Sequence, residues 1–241
     1  MSEPMSHCPV TKAADLLGDK WVILILRAMI LGARRYSDFT AAIPRISPSV
    51  LSGRLKQLCD DGLILKRGET GQQASYRLTP SGRECEPIIV LMAQWGLKWG
   101  RRHTQVDQID VGAMMWDIHR TILTDELPDG ETVFSFHFDN LGRHNRWWIV
   151  TSRREIDLCD TDPGKPVDLY IHGAIGSLIE VWQGQLPLGE ALADERLVMT
   201  GERAILESAR HWFPMSPVAR ARLAGMEPAN LVAAGLQGSN G

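Results

Sequence analysis

At 241 residues, with 44% hydrophobic and 23% charged side chains, the chain has a globular composition and enough length for two domains, each with its own core. A disordered or fibrous protein is thereby excluded. The net charge of −3 conceals an asymmetry: residues 1–104 carry 15 Lys and Arg against 9 Asp and Glu, whereas residues 105–241 carry 11 against 20. The basic half suits a polyanionic partner that the acidic half would repel. The longest apolar run, Trp21 to Leu26, is far shorter than the ~20 residues that span a bilayer. The opening MSEPMSHCPV lacks the basic and apolar regions of a signal peptide, so the expectation is a cytoplasmic protein with no membrane partner. Cys8, Cys59, Cys85 and Cys159 form no CxxC pair, which argues against a zinc ribbon or a disulfide framework.

In chain order, Val10 to Leu17 reads as a short helix stopped by Gly18. Asp19 then caps a largely apolar helix, KWVILILRAMILG, that stops at Gly32. SDFTAAI follows as a short helix with Ser37 as its N-cap and Pro44 beyond its end. Ser47 followed by Pro48 is a strong start signal for SPSVLSGRLKQLCDDG, and Gly62 stops it. Leu51, Leu55 and Leu58 make one inward stripe on that helix. Its other face carries Ser49, Ser52, Gly53 and Lys56, with Arg54 to one side. Small residues let the backbone approach a DNA major groove, hydroxyls bond base edges or phosphates, and cations neutralise charge.

LILKR and SYRLT, joined by GETGQQA, read as a β-hairpin flanked by Lys66, Arg67 and Arg77. This order is that of a winged helix-turn-helix. Thr79-Pro80 starts another helix, which Pro87 should kink. Beyond the kink, Ile88, Met92, Trp95 and Trp99 lie 4, 3 and 4 apart, a narrow seam suited to a homodimer.

CPVTKAADLLGDKW, ILILRAMILGARRYSDF, ISPSVLSGRLKQLCDDGLILKR, SYRLTPSG and the Trp95-Gly96 pair together resemble HxlR-type winged-helix regulators, over about residues 7–101. Tyr36 departs from the commoner Phe, a conservative change. The resemblance implies a dimeric transcription factor that binds an inverted repeat in double-stranded DNA. It also implies a cysteine, here Cys8, that senses oxidants or electrophiles in some members; an inert thiol is the other reading.

Residues 102–112 read as a polar link. AMMWDIHRTILTDEL is an apolar-periodic helix, and TVFSFHFDN a strand with Val133, Phe136 and Phe138 on one face and Ser135 and His137 on the other. RWWIVTSRR, EIDLCDT and VDLYIHG continue a sheet, joined by a corner at residues 153–155. AIGSLIEVWQG and PLGEALADE are helical, LVMTG is a strand, ERAILESARHWF is a last helix, and residues 214–241 form a tail. This layout over residues 112–213 resembles a sterol-carrier-protein type of domain, an α/β fold with a mainly antiparallel sheet. The whole chain is thus α+β, with residues 1–104 and 112–213 as its two domains. The resemblance implies an apolar tunnel for a small apolar ligand, with no lining residue identifiable. Trp116, Trp147, Trp148, Trp182 and Trp212 are equally explained as core, and the sheet as a plain scaffold.

His7, His103, His119, His137, His144, His172 and His211 show no ligand spacing along one segment, so no metal site is expected. No G-x-S-x-G, G-x-G-x-x-G or P-loop pattern occurs, and the expectation is no enzyme, no catalytic residue and no cofactor. Two readings stand: a DNA-binding regulator, or a lipid carrier or lipid-dependent enzyme whose winged helix is a protein-interaction module.

Overall fold

In the computed structural model, residues 8–68, 74–99, 109–152 and 155–223 are described, without the side chains of 221–223. The chain divides into two compact units, Met1–Ala93 and Gln94–Ala234, with the division falling inside one helix.

The first unit contains helices α1 (Pro9–Leu17), α2 (Lys20–Ile30), α3 (Tyr36–Ala42) and α4 (Pro48–Asp60). Strands β1 (Ile64–Arg67) and β2 (Ser75–Leu78), short helix α5 (Pro80–Arg83) and the first part of α6 (Glu86–Trp99) complete it. Asp19 caps α2 by accepting the Trp21 and Val22 N–H groups, at 2.8 and 3.3 Å. Both α2 and α4 end in a Schellman turn. Ala33 N–H bonds the Ala28 carbonyl and Leu63 N–H that of Leu58, at 2.9 and 3.0 Å. Gly32 (φ 98°) and Gly62 (φ 72°) supply the left-handed residue each turn requires.

Two expectations change here. Helix α3 begins at Tyr36, so Ser37 lies inside it and is not its cap. The Asp38 carboxylate reaches back instead, accepting the Arg34 and Arg35 N–H groups at 2.8 Å each, a favourable charge for a first helical turn. Pro87 kinks nothing. The chain breaks at Glu84–Cys85, and Pro87 sits in the first turn of α6, where a missing N–H costs no helical bond.

Val22, Ile25, Leu26 and Met29 of α2, Phe39 of α3, and Leu51, Leu55 and Leu58 of α4 form the buried centre of this unit. Strands β1 and β2 pair antiparallel with Leu65 opposite Arg77 and Lys66 opposite Tyr76. Tyr76 ties the hairpin to the helices: its N–H bonds the Arg34 carbonyl at 2.7 Å, and its ring meets Phe39 edge-on, 5.9 Å between centroids.

The second unit holds a five-stranded sheet in the order β5-β4-β3-β6-β7, of β3 (Thr132–Phe138), β4 (Arg146–Thr151), β5 (Ile156–Cys159), β6 (Leu169–Gly173) and β7 (Leu197–Gly201). Only β3 and β6 pair in parallel. Helices α7 (Val111–His119), α8 (Ile175–Trp182), α9 (Leu188–Ala193), α10 (Arg203–Glu207), α11 (Ala209–Trp212) and α12 (Pro217–Leu223) accompany it.

The core face of β3 carries Phe134, Phe136 and Phe138, packed with Ile149, Leu169, Ile171, Leu178 and Trp212. Val133 is not with them. Strand alternation puts it on the outer face, in a small separate cluster with Trp148 and Val150. The helix expected through Leu127 ends at His119. Thr121 turns its hydroxyl onto the Asp117 and Ile118 carbonyls, at 3.2 and 2.9 Å, a local bond that competes with helix continuation. The last expected helix is broken at Ser208 into α10 and α11.

The segment after Phe213 is structured where it is described. Ser216 N–H bonds the Trp182 carbonyl at 2.7 Å, Arg220 reaches the Thr121 carbonyl at 2.5 Å, and Ala219 is buried. Trp116, Trp147, Trp148, Trp182 and Trp212 are all buried, Trp212 completely.

Candidate nucleic-acid interface

Helix α4 is pinned at both ends and along one face, which leaves its other face to solvent. Ser47 caps it by accepting the Val50 N–H at 3.4 Å, and the Tyr36 hydroxyl donates to the Pro48 carbonyl at 3.0 Å. With Leu51, Leu55 and Leu58 buried, the 3.6-residue period turns Ser49, Ser52, Gly53 and Lys56 outward, and all four are exposed. Among the described residues, and apart from the backbone of α4 itself, nothing lies within 4 Å of where a Gly53 side chain would begin, so another backbone or a base edge has room to approach.

The two cations of α4 differ in their commitments. Arg54 turns away from the open face: one guanidinium nitrogen donates to the Asp19 carboxylate at 2.8 Å and another to the Gln57 amide oxygen at 2.8 Å. This ion pair joins α4 to the N-terminus of α2. Asp19 is held below the usual carboxylate range; burial pushes it up, but the Trp21 and Val22 N–H groups and the Arg54 guanidinium outweigh that. With side chains 36% and 32% exposed, the pair stabilises the unit by about 1 kcal/mol at most. Lys56 is exposed and pairs with Asp60 one turn on. That partner raises its already basic pKa, so it remains a cation.

On the hairpin, Arg67 and Arg77 share one face with Leu65, while Lys66 lies on the face of Tyr76; all three cations are exposed. The hairpin tip, residues 69–73, lies outside the described residues. Arg35 and Arg45, which the sequence reading passed over, are exposed at the start of α3 and just ahead of the α4 cap. A cation two residues before a Ser-Pro helix start was the signal available for Arg45.

Apolar side chains are open on two helices of the first half, α1 and α6, among the described residues. Helix α1 buries no residue. On α6, Ile89 and Val90 are buried, but Ile88, Leu91, Met92, Trp95 and Trp99 are exposed, Trp95 and Trp99 at 66% and 62%. Cys8 precedes α1 and is exposed; the backbone N–H groups of Thr11 and Val10 hold its thiol below the usual value. Burial instead raises Cys59, Cys85 and Cys159. The influence on Cys8 comes from a helix N-terminus rather than from a basic neighbour.

Among the described residues, one group of potential metal ligands comes together, His137, Asp139 and His172. Spacing along a single segment misses it, because strand pairing makes the approach.

Comparison with known proteins bears on the first unit. Residues 16–104 match the HxlR-like helix-turn-helix family. The chain is 38% identical over 96 residues to an uncharacterised HTH-type transcriptional regulator of Bacillus subtilis, YvaP, covering 38% of this chain and 88% of YvaP. It is 33% identical over 103 residues to a second B. subtilis regulator of that type, YdeP, covering 42% of this chain and 80% of YdeP. Among solved structures, the reduced form of the B. subtilis transcriptional regulator YodB is 29% identical, covers 40% of this chain and 97% of its own, and has a TM-score of 0.35. Both curated relatives are named as HTH-type transcriptional regulators, and no helix among the described residues is long and apolar enough to cross a membrane. Through residues 16–104, this chain belongs to the HxlR-like helix-turn-helix family of regulators.

Proposed function

We propose that the protein is a DNA-binding transcriptional regulator that acts as a homodimer on an inverted-repeat operator. The observation that carries this reading is the outward face of α4, where Ser49, Ser52, Gly53 and Lys56 are exposed opposite the buried Leu51, Leu55 and Leu58. That face enters the major groove, with hydroxyls on base edges and the Lys56 ammonium exchanging Asp60 for a phosphate. Lys66, Arg67 and Arg77 hold phosphates beside the hairpin, and Arg45 joins them at the α4 N-terminus. Arg54, named with that face from the sequence, is committed to Asp19 and Gln57 here and holds α4 to the start of α2.

The test is selection of genomic fragments by the purified protein, then affinity for the best fragment across a range of salt. The expected result is an inverted repeat bound far more tightly than random DNA. Lys56→Ala should weaken that binding about tenfold, and Arg77→Ala should lower the salt slope by about one. Weak, sequence-blind binding that neither substitution alters overturns the docking assignment, since it leaves only the charge of the basic half.

The open apolar seam of α6 supports the dimer, because five large exposed side chains on one helix are what a two-fold interface covers. Met92→Glu with Trp95→Glu should convert a dimer to monomers in sedimentation equilibrium and abolish tight operator binding. A wild-type protein that sediments as a monomer at micromolar concentration would remove the two-fold reading.

For the second unit we propose a sterol-carrier-like domain that takes a small apolar ligand and reports it to the first. The apolar layer between its mixed sheet and helices favours this reading. If the ligand changes DNA affinity, DNA changes ligand affinity by the same factor. Solvent extraction of the purified protein supplies the contrast: a stoichiometric lipid together with no DNA binding would make it a carrier.

A further inference from the structure

We propose that His137, Asp139 and His172 form a binding site for a divalent transition metal, with Zn2+ the best-matched ion. The site stands apart from the DNA-binding reading and does not depend on it. His137 is the penultimate residue of β3, and Asp139 opens the turn that follows it, which brings its carboxylate back to the His137 ring. His172 lies directly across, because the parallel register of β3 and β6 sets it opposite His137. The Asp139 N–H donates to the Gly173 carbonyl at 3.3 Å, which carries the pairing one step past the strand. The Asn140 side chain accepts the Ile175 N–H at 3.1 Å and fixes the start of the next helix. Three donor side chains are thus held by two hydrogen-bonded strands and the turns that follow them.

The distances suit a tetrahedral ion. Two nitrogens each about 2.0–2.1 Å from Zn2+ at the tetrahedral angle are about 3.3–3.4 Å apart. The His137 and His172 Nδ1 atoms are 3.3 Å apart, their rings nearly perpendicular at 84°. Asp139 Oδ1 is 3.7 Å from the His137 nitrogen, and all three donor atoms lie within 4.8 Å of one another. His137 is 28% exposed and Asp139 64%, so the carboxylate has freedom to rotate inward, and water can complete the shell. A plain imidazole–imidazole hydrogen bond would also bring the two nitrogens together, but it would not call for a carboxylate at the third corner. Two imidazoles and one carboxylate are a donor set for Zn2+, Co2+ or Ni2+ in preference to Ca2+ or Mg2+, which take mostly oxygen. One charge of the wrong sign lies across the strand pair, on Arg146, which is opposite His137 on β4 and exposed.

The full chain, without an affinity tag and stripped of metal by chelation, is titrated with Zn2+ against a chromogenic chelator. One equivalent should bind. His172→Gln should weaken it by on the order of 100-fold or more and Asp139→Asn by about tenfold, since even outer-shell changes cost 10–100-fold. Cys8→Ser should leave it unchanged, which separates this site from a thiolate site at the His7-Cys8 pair. Zn2+ should raise the melting temperature of the wild type and not that of His172→Gln. Should a histidine variant fail to fold, Co2+ bound to the wild type decides: visible bands without thiolate charge-transfer absorption are expected. Binding weaker than about 10 μM, binding intact in His172→Gln, or a thiolate spectrum overturns the site.

Discussion

Gly82→Ala is expected to lower the stability of the first unit by about 2–3 kcal/mol, the upper range for forcing a group into a filled site. A methyl group there would begin 2.0 Å from the Leu63 carbonyl oxygen, a distance no side chain tolerates, and the obstacle is backbone. That carbonyl belongs to the turn between α4 and β1, and Thr79 bridges the same place. The Thr79 hydroxyl lies 2.7 Å from the Gly62 carbonyl oxygen and accepts the Gly82 N–H at 3.1 Å. Relief of the clash therefore moves α5 away from the end of α4 and pulls at the hairpin. The measurement is denaturant unfolding of the full chain followed by a probe in the first unit, such as Tyr76 or Trp21. A change below about 0.5 kcal/mol would mean that α5 shifts freely and that the close approach is not structural.

Trp212→Ala should cost the second unit about 3–5 kcal/mol, the range for truncating a fully buried aromatic side chain. Trp212 packs against Phe134 at 4.9 Å and Phe213 at 5.7 Å between ring centroids. Its indole N–H donates to the Ile205 carbonyl at 2.9 Å. Its own carbonyl accepts the Leu123 N–H at 3.2 Å, so one residue joins the last helices to the connection before β3. Trp212→Phe keeps most of the volume and loses the hydrogen bond, leaving the Ile205 carbonyl without this donor, and should cost about 1–2 kcal/mol. Two calorimetric transitions are expected, with Gly82→Ala lowering one and Trp212→Ala the other. A single transition lowered equally by both would show that the two units unfold as one.

Local signals explain why so much of the first unit is legible in the chain. Asp19, Gly32, Ser47-Pro48, Gly62 and Thr79-Pro80 each act through a bond to a backbone group within a few residues, so their effect is visible from sequence alone. The SYRLTPSG segment has a physical reading as well, since Thr79 and Gly82 both fasten onto the turn at Leu63. What escaped was nonlocal. Arg54 looks like a free cation on the α4 face until Asp19, 35 residues away, takes it. Asp38 capping Arg34 and Arg35 overrides a good cap residue at Ser37. The open state of the α6 seam could not be read from spacing, because 4-3-4 periodicity describes a covered stripe and an uncovered one equally well.

In the second unit the strands are visible as alternation, but their order across the sheet is not. Val133 lies on the face opposite to the one expected, because an apolar residue at a strand start carries no sign of which side it occupies. Gly201 is clearer in retrospect: its φ of 150° and an approach of 2.1 Å between a would-be side chain and the Asp168 carbonyl account for a glycine at the end of β7. The pairing of His137 with His172 depends on the β3–β6 register, so a search along the chain for ligand spacing passes over it.

The parallel junction of β3 with β6 also sets an order of events. Phe134 faces Leu169, 35 residues further on, while β3, β4 and β5 can form a meander among themselves as soon as they emerge. The sheet then waits with its longest strand unpaired along one edge until β6 and β7 have been made. Loop-closure entropy makes this late pairing slower than the short-range helix and hairpin contacts of the first unit. During synthesis the winged helix is therefore complete while the central strand of the second unit still exposes an apolar face and an open row of backbone groups. A nascent or truncated chain ending before residue 169 carries that edge permanently, which makes it the form of this protein most prone to aggregate.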